Sequence, residues 1–497
     1  MFAGETLSMK RSQRFLLAAS VVLLAIISAI VLSSGARPAA AAAKAYTPDT
    51  DARLQKAYRF TQDGWTYVHL EGSPADIGFQ HGYLLAPEIE DAFNAVQVED
   101  THVTQRDWAF FRDAAHTMLW PHIDPEYQQE LQGIADGLKA HGSKYDVDDV
   151  VAVNAFMELT DYYVPWLNKK QKRAAVPNLV APGNCSAFIA TGGMTKDHKI
   201  VLAHNNWTSY IQGSRWVMMF DIAPQNGNRI LMDGFPGVIV SDDDFGVNSA
   251  GMMISETTIS KFEGWDPDGK PEFMRARKAL QYSNSIDDYV RIIKEGNNGG
   301  YANDWLIGDR KTGEIAYLEL GLKNTPLWRK KNGYFISSNF AQDPKVLKEE
   351  TTFDSKDMTS SPNARRARWE ELMKENKGKI DVDMAQKFIG DHYDSYDKKQ
   401  AANARTLCGH GETMVGRDSQ FEWNSYHPGG AVQGKATDSA MAEKMSMRAR
   451  AGHPCGADFL AKDFLAHHPE YSWQSSVLKD MKAGPWTTFE AGQRAAR

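Results

Sequence analysis

Between residues 185 and 339 the chain is written mostly as short strands, interrupted by one helix-forming stretch at 285–296, with helix-forming sequence on both sides of that block. This order constrains the fold more than any other feature. Strands joined by short turns build antiparallel sheets, and flanking amphipathic helices must bury their apolar faces on those sheets. CSAFIAT (185–191) and KIVLAHNNW (199–207) flank the polar turn GGMTKDH and read as a hairpin. RWVMMFDI (215–222), GVIVSD (237–242) and GMMISETTI (251–259) continue the strand character. WLIGDRKTGEIAYLEL (305–320) is a second hairpin around Lys311-Thr312-Gly313, and GYFISSN (333–339) adds another strand.

Helices frame this block. Upstream, the alternating stretch 65–72 is followed by a helix with Ser73 as N-cap and Pro74 in its first turn. A second helix runs from Pro125 to about His141, where Gly142 supplies a stop. SIDDYVRIIKEG has Ser285 as N-cap, Asp288 at the third helical position and apolar residues at helical spacing. Further helices are predicted at 364–377 and 382–390. The expected fold class is α+β, with segregated layers of helices and antiparallel sheets.

The N-terminus has a different character. Lys10, Arg11 and Arg14 precede an 18-residue apolar run, Phe15–Leu32, followed by an alanine-rich stretch from Ala36 to Ala45. That order describes a secretory signal, with an uncleaved membrane anchor as the alternative and Met9 as an alternative start. From Met9 onward the first acidic residue is Asp49. The expectation is an exported protein, secreted, periplasmic or lumenal. Four segments are predicted: 1–45 signal or anchor; 46–184 helical and propeptide-like; 185–400 catalytic core; 401–497 C-terminal extension. The stretch 165–184, with Lys169, Lys170, Lys172, Arg173, Pro177 and Pro182, reads as a linker or a merely solvated loop. The tail is rich in Gly, His, Trp and Met and only weakly periodic.

Composition removes several function classes. With 56 Lys+Arg against 63 Asp+Glu, the balance gives no support to nucleic-acid binding. Three cysteines in 497 residues exclude a disulfide scaffold and a four-cysteine zinc site. In an exported chain an odd cysteine is informative: Cys408 and Cys455 share the tail and can form a disulfide, leaving Cys185 alone. Cys185 starts a predicted strand after a Pro-Gly-Asn turn, among small polar neighbours. Its bland reading is a buried inert thiol. Its chemical reading is an autoproteolytic nucleophile. The thiol attacks the preceding carbonyl, the acyl group moves from N to S, and water releases it. The new α-amine then takes the proton of its own thiol, a nearly thermoneutral transfer.

NCSAFIATGGMTKDHKIVLAHNNWTSY (184–210) resembles the nucleophile segment of the phospholipase B-like proteins of lamina ancestor type. It is also similar to the autoproteolytic cysteine acyltransferases related to penicillin acyltransferase. FPGVIVSDDDFGVNSAGMMISETTI (235–259), YANDWLIGDRKTGEIAYLEL (301–320), GYFISSN and SPNARRARWEEL (361–372) follow in family order. Upstream, EGSPADIGFQHGYLLAPEI (71–89) and ELQGIADGLKAHG (130–142) resemble propeptide helices of the acyltransferase side. The resemblance implies the four-layer αββα sandwich of N-terminal nucleophile hydrolases. It implies Cys185 as nucleophile and Asn184–Cys185 as the bond cleaved. His204 with Asn205 or Asn206 then takes the place of the Arg and Asp of related cysteine amidases. Asn339 falls at an oxyanion-hole position, Thr257 or Thr258 on the other side of the hole, and Arg365 at the place of a late Arg near the site.

Each of these has a structural alternative: His204 as a satisfied strand histidine, Asn339 as a turn cap, Arg365 as one of three exposed helix cations. Asp242-Asp243-Asp244 lacks calcium-loop spacing and reads as a solvated turn. His410, His427, His453 and His467-His468 lack zinc spacing, so neither metal nor cofactor is expected. The glycosylation patterns at Asn184 and Asn206 overlap the site and read as chance matches. The expected function is hydrolysis of an acyl amide or ester through a thioester. Acyl transfer and a non-catalytic binding protein on the same fold are the alternatives. The expected partner is a small acyl or lipid substrate. Membrane contact is expected only through the N-terminal segment or that substrate, and the cleaved fragments are expected to stay associated.

Overall fold

The computed structural model describes residues 51–172, 185–414 and 427–495. The predicted signal and most of the predicted linker, including Asn184, lie outside the described residues. Among the described residues no helix is long and apolar enough to cross a membrane.

Two large sheets carry the fold. The strands in chain order are β1 (Tyr58–Gln62), β2 (Trp65–Gly72), β3 (Ser186–Thr191), β4 (Val201–Ser209), β5 (Met218–Pro224) and β6 (Ile230–Gly234). Then come β7 (Gly246–Asn248), β8 (Met252–Thr258), β9 (Asn303–Asp309), β10 (Glu314–Leu320), β11 (Leu327–Lys330) and β12 (Gly333–Ser337). Last are the two-residue pair β13 (Tyr393–Asp394) and β14 (Lys399–Gln400), then β15 (Gly429–Asp438), β16 (Ser446–Ala451) and β17 (Thr487–Glu490). One sheet has the order β1-β2-β5-β6-β7-β8-β9-β10-β11; the other is β12-β3-β4-β15-β16-β17. Only β2 and β5 pair in parallel; their neighbours in both sheets are antiparallel.

The period-two alternation of the strands explains why there are four layers. Tyr67, Met219, Met253, Leu306 and Tyr317 from the larger sheet meet Ala187, Ile189, Leu202, Phe335 and Met447 from the smaller one in a shared core. The alternate residues Val68, Phe220, Ile254 and Ile307 face a second core built with the helices Ala86–Thr104, Pro125–His141 and Val147–Asn154. On the far side, Phe188, Ala203 and Ala436 pack against the helices Ser361–Glu375 and Val382–Ile389. The result is the αββα sandwich that the resemblance implies.

Most of the local signals are realised. Ser73 caps the helix Pro74–Leu84 in a reciprocal box with Asp76, Ser285 caps Ile286–Lys294, and Gly142 ends Pro125–His141 in the left-handed region at φ 97°. The two propeptide-like helices pack backbone to backbone: a Cβ on Gly78 would lie 1.9 Å from the Glu130 carbonyl oxygen. Only glycine permits that approach.

Two expectations are corrected. GVIVSD is not a strand but a buried loop. Asn154 supplies the missing ladder, donating to the Gly237 carbonyl and accepting from the Ile239 N–H. Asp242-Asp243-Asp244 is not a solvated turn: all three residues are buried. Strands β15, β16 and β17, from the predicted C-terminal extension, form half of the smaller sheet. Strands β1 and β2, from the predicted segment 46–184, join the larger sheet.

Candidate active site

Cys185 stands immediately before β3, fully buried, with φ at +80°. A β-carbon residue in the left-handed region is strained, and such strain is held only where its surroundings over-determine it. The surroundings here are specific. The Cys185 carbonyl accepts a hydrogen bond from Arg365 Nη1 at 2.5 Å. Arg365 Nη2 donates to Asn339 Oδ1 at 2.8 Å, and Asn339 Nδ2 donates to the Thr258 carbonyl at 2.8 Å. Because a guanidinium only donates, this contact fixes the Asn339 amide with its NH₂ turned away from Arg365. Asn339 itself has φ +73°. The Arg365 guanidinium lies 4.3 Å from the centre of the Trp207 ring, and Trp369 Nε1 donates to Ser186 Oγ at 2.8 Å.

Strand β4 resolves the choice among its three polar residues. Cys185 Sγ lies 3.9 Å from Asn206 Oδ1, within reach of a weak S–H donor. His204, two residues earlier on the same face, brings a ring nitrogen into a cluster with Cys185 Sγ and a Glu256 carboxylate oxygen, all within 4.8 Å of one another. Asn205 points to the opposite face, donating to the Ile389 and Leu407 carbonyls, each at 2.7 Å. It is a structural tie rather than a member of the site. Asn206 is buried, which removes its glycosylation pattern from reach in the folded chain.

Thr257 hydrogen-bonds Ser337 across the two sheets at 2.5 Å, and Ser337 donates to Asp304. Thr258 meets the site through its backbone carbonyl. Arg365 is buried, not one of three exposed cations.

Sequence reasoning missed Glu256, Asp243 and Lys435. Glu256 lies directly before Thr257 and accepts from Tyr301 at 3.1 Å. Lys435 on β15 is wholly buried and bridges Asp233 at 2.7 Å and Asp243, whose carboxylate is 3.9 Å from His204 Nδ1. Only the SETT segment hinted at the first; the other two need tertiary structure.

Burial sets the protonation states. It pushes the Cys185 thiol well above its usual range, with Glu256 and Asp243 adding to the effect. Burial, then Lys435, pushes His204 well below its ordinary value, so the ring is neutral. Burial, then Asp244 and Asp243, raises the Glu256 carboxyl. As an internal residue the thiol is therefore protonated and unactivated. Cys185, His204 and Glu256 bring three donor atoms of metal-binding type together, and neither His204 ring nitrogen has a hydrogen-bond partner among the described residues.

The fold is the α+β sandwich of the N-terminal-nucleophile-like kind. Residues 78–317 match the family model described as Phospholipase B, and residues 234–425 match the model described as Acyl-coenzyme A:6-aminopenicillanic acid acyl-transferase. Relatives include an uncharacterised protein of Archaeoglobus fulgidus, 23% identical over 270 residues (50% of this chain, 42% of that protein). Phospholipase B-like protein F of Dictyostelium discoideum is 28% identical over 177 residues (33% and 31%). Phospholipase B-like 1 of Bos taurus is 23% identical over 269 residues (47% and 48%). These matches bear out the resemblance: residues 78–317 are similar to phospholipase B-like proteins, and residues 234–425 to the penicillin acyltransferase type. It spans about half or less of the length of these relatives.

Proposed function

We propose that the protein is an exported acyl hydrolase that works through Cys185 after scission of the Asn184–Cys185 bond. The carrying observation is the convergence of a strained, buried Cys185 with Asn206, His204 and the Arg365–Asn339 pair. In maturation, Sγ attacks the Asn184 carbonyl carbon, the C–N bond breaks, and the thiol proton passes to the departing amine nitrogen. Water then hydrolyses the thioester and frees the Cys185 α-amine.

That amine titrates near 8 in model compounds, so it can take the thiol proton at little cost. The thiolate attacks the substrate carbonyl and forms a tetrahedral oxyanion. Asn339 Nδ2, which gives one N–H to the Thr258 carbonyl, and Asn206 Nδ2 are the proposed donors to it; the latter is buried and makes no hydrogen bond among the described residues. Collapse expels the amine or alcohol, and water resolves the acyl-enzyme. An amine acceptor in place of water gives acyl transfer, the reading favoured by the acyltransferase-type match at 234–425.

The relatives named phospholipase B-like support a lipid or N-acylated substrate. So does a groove of about 830 Å³ whose lining includes Phe335, Ile336 and Phe340 together with Lys330, Arg366, Lys374 and Glu370. That combination suits an acyl chain with an anionic head. Export rests on the basic, apolar and alanine-rich order of residues 10–45.

Mass spectrometry of the exported protein tests the reading. Two fragments, one beginning at Cys185, are expected from the native chain, and a single chain from Cys185→Ala. An active preparation with no fragment starting at Cys185 rules the mechanism out.

A further inference from the structure

On the far side of β4 from the nucleophile, four side chains from three separate segments converge. His392 follows the helix Val382–Ile389, Cys408 and His410 belong to the loop beyond β14, and Cys455 follows β16. None of the three cysteines is in a disulfide, so Cys408 and Cys455 are free thiols, contrary to the pairing considered above. One ligand atom from each of the four residues lies within 4.8 Å of all the others. We infer that His392, Cys408, His410 and Cys455 form a closed tetrahedral site for a zinc-class divalent ion.

The distances fit. With zinc–sulfur near 2.3 Å and zinc–nitrogen near 2.0–2.1 Å, a tetrahedron has sulfur–nitrogen edges of about 3.5 Å. His410 Nε2 is 3.4 Å from Cys455 Sγ and 3.7 Å from Cys408 Sγ.

The surrounding groups orient the donors. His410 Nδ1 meets Glu412 Oε1 at 2.9 Å, which keeps the proton on Nδ1 and turns the bare Nε2 toward the sulfurs. Glu412 is itself held by the Tyr210 hydroxyl. A carboxylate behind a ligand histidine is the usual support of a metal site. The Ala457 N–H points at Cys455 Sγ at 3.4 Å, as suits a thiolate. His392 Nε2 is buried and makes no hydrogen bond among the described residues.

Four protein donors leave no open position, so the ion is structural rather than catalytic. It fastens a loop on which β4 leans: Asn205 donates to the Leu407 carbonyl, and Gly409 lies flat against the Trp207 ring. The spacing Cys408-x-His410, with partners 16 residues before and 45 residues after, resembles no contiguous zinc motif, which is why it is silent in the sequence.

The test uses the full-length protein, purified without reductant or chelator and dialysed against zinc. Elemental analysis is expected to give one zinc per chain, falling below one-tenth in the Cys408→Ser/Cys455→Ser double variant. Cobalt(II) replacement in the native chain, which needs no variant to fold, is expected to give thiolate charge-transfer and tetrahedral visible bands. Native protein holding less than a tenth of an equivalent of zinc or cobalt overturns the inference. So does a non-reducing peptide map that joins Cys408 to Cys455. Both outcomes are independent of whether Cys185 is a nucleophile.

Discussion

Arg365 joins the Cys185 carbonyl to the Asn339 side chain, with one guanidinium nitrogen on each. Two left-handed residues from different strand ends are thereby locked to one cation. The Asn339 NH₂ is thereby turned away from Arg365, with one N–H on the Thr258 carbonyl and the other assigned to the oxyanion in the proposed mechanism. Asn339→Asp keeps the shape, tolerates the positive φ and retains the Arg365 contact, but removes both N–H donors. Turnover is expected to fall about 100- to 1,000-fold, mainly in kcat, with the far-ultraviolet circular dichroism unchanged. A variant within threefold of the native rate would show that Asn339 does not serve the oxyanion.

Lys435 is a buried cation held by two buried carboxylates, Asp233 and Asp243. Removing one partner of such a set strands the others in a poor solvent. Lys435→Met is expected to cost about 3–5 kcal/mol in chemical denaturation. Adding Asp233→Asn and Asp243→Asn to that variant should recover part of the loss. If the triple variant is no more stable than the single one, the pairing is not what Lys435 contributes.

The parts of this site that were legible in the sequence are those that local rules govern. Period two placed β3 and β4 beside each other and so put Cys185 near the HNN triplet, but it could not choose the register. The fold chooses: His204 and Asn206 share the nucleophile's face, and Asn205 ties the opposite face to the tail. Lys435 was invisible because its partner Asp243 is 192 residues away, and three consecutive aspartates without their cation look like a solvated turn. The tail defeated periodicity for a related reason. Residues 429–438 form a central strand, buried along nearly its whole length between β4 and β16, and the polar positions Gln433, Lys435 and Thr437, which look solvated in the sequence, are buried as well. GVIVSD failed the other way. Its composition is that of a strand, yet a side chain, Asn154, supplies its hydrogen bonds.

Gly409 connects the tail to the Cys185 cluster. A Cβ added there would lie 2.0 Å from the Trp207 ring, whose face carries Arg365. Gly409→Ala must therefore displace the tail loop or push Trp207 into the guanidinium. Overpacking of this kind costs about 1–3 kcal/mol. A fall in activity larger than the stability loss explains, measured well below the unfolding midpoint, is expected because Arg365 moves with the ring. Native kcat in a destabilised variant would uncouple the tail from the site.

Buried carboxyls give the fold an unusual pH profile. Burial raises Asp244 to about 8, with Asp243 adding to the effect; burial also raises Glu319 to about 8 and Glu99 to about 7. Each is protonated in the folded chain at pH values where the unfolded chain has released the proton. Stability therefore falls as pH rises from the ordinary carboxyl range toward 8, by about 1.4 kcal/mol per pH unit for each group. Histidines oppose this only on the acid side. Burial lowers His81 to about 3 and His427 and His453 to about 4, so they destabilise the fold below their ordinary value of 6.5 and contribute nothing above it. Between pH 6.5 and 8 the carboxyl effect is thus unopposed by these histidines. The denaturant midpoint is expected to drop across that interval, and Asp244→Asn or Glu319→Gln should each flatten the drop. A midpoint at pH 8 equal to that at pH 6.5 would mean that these carboxyls are already ionised in the folded chain.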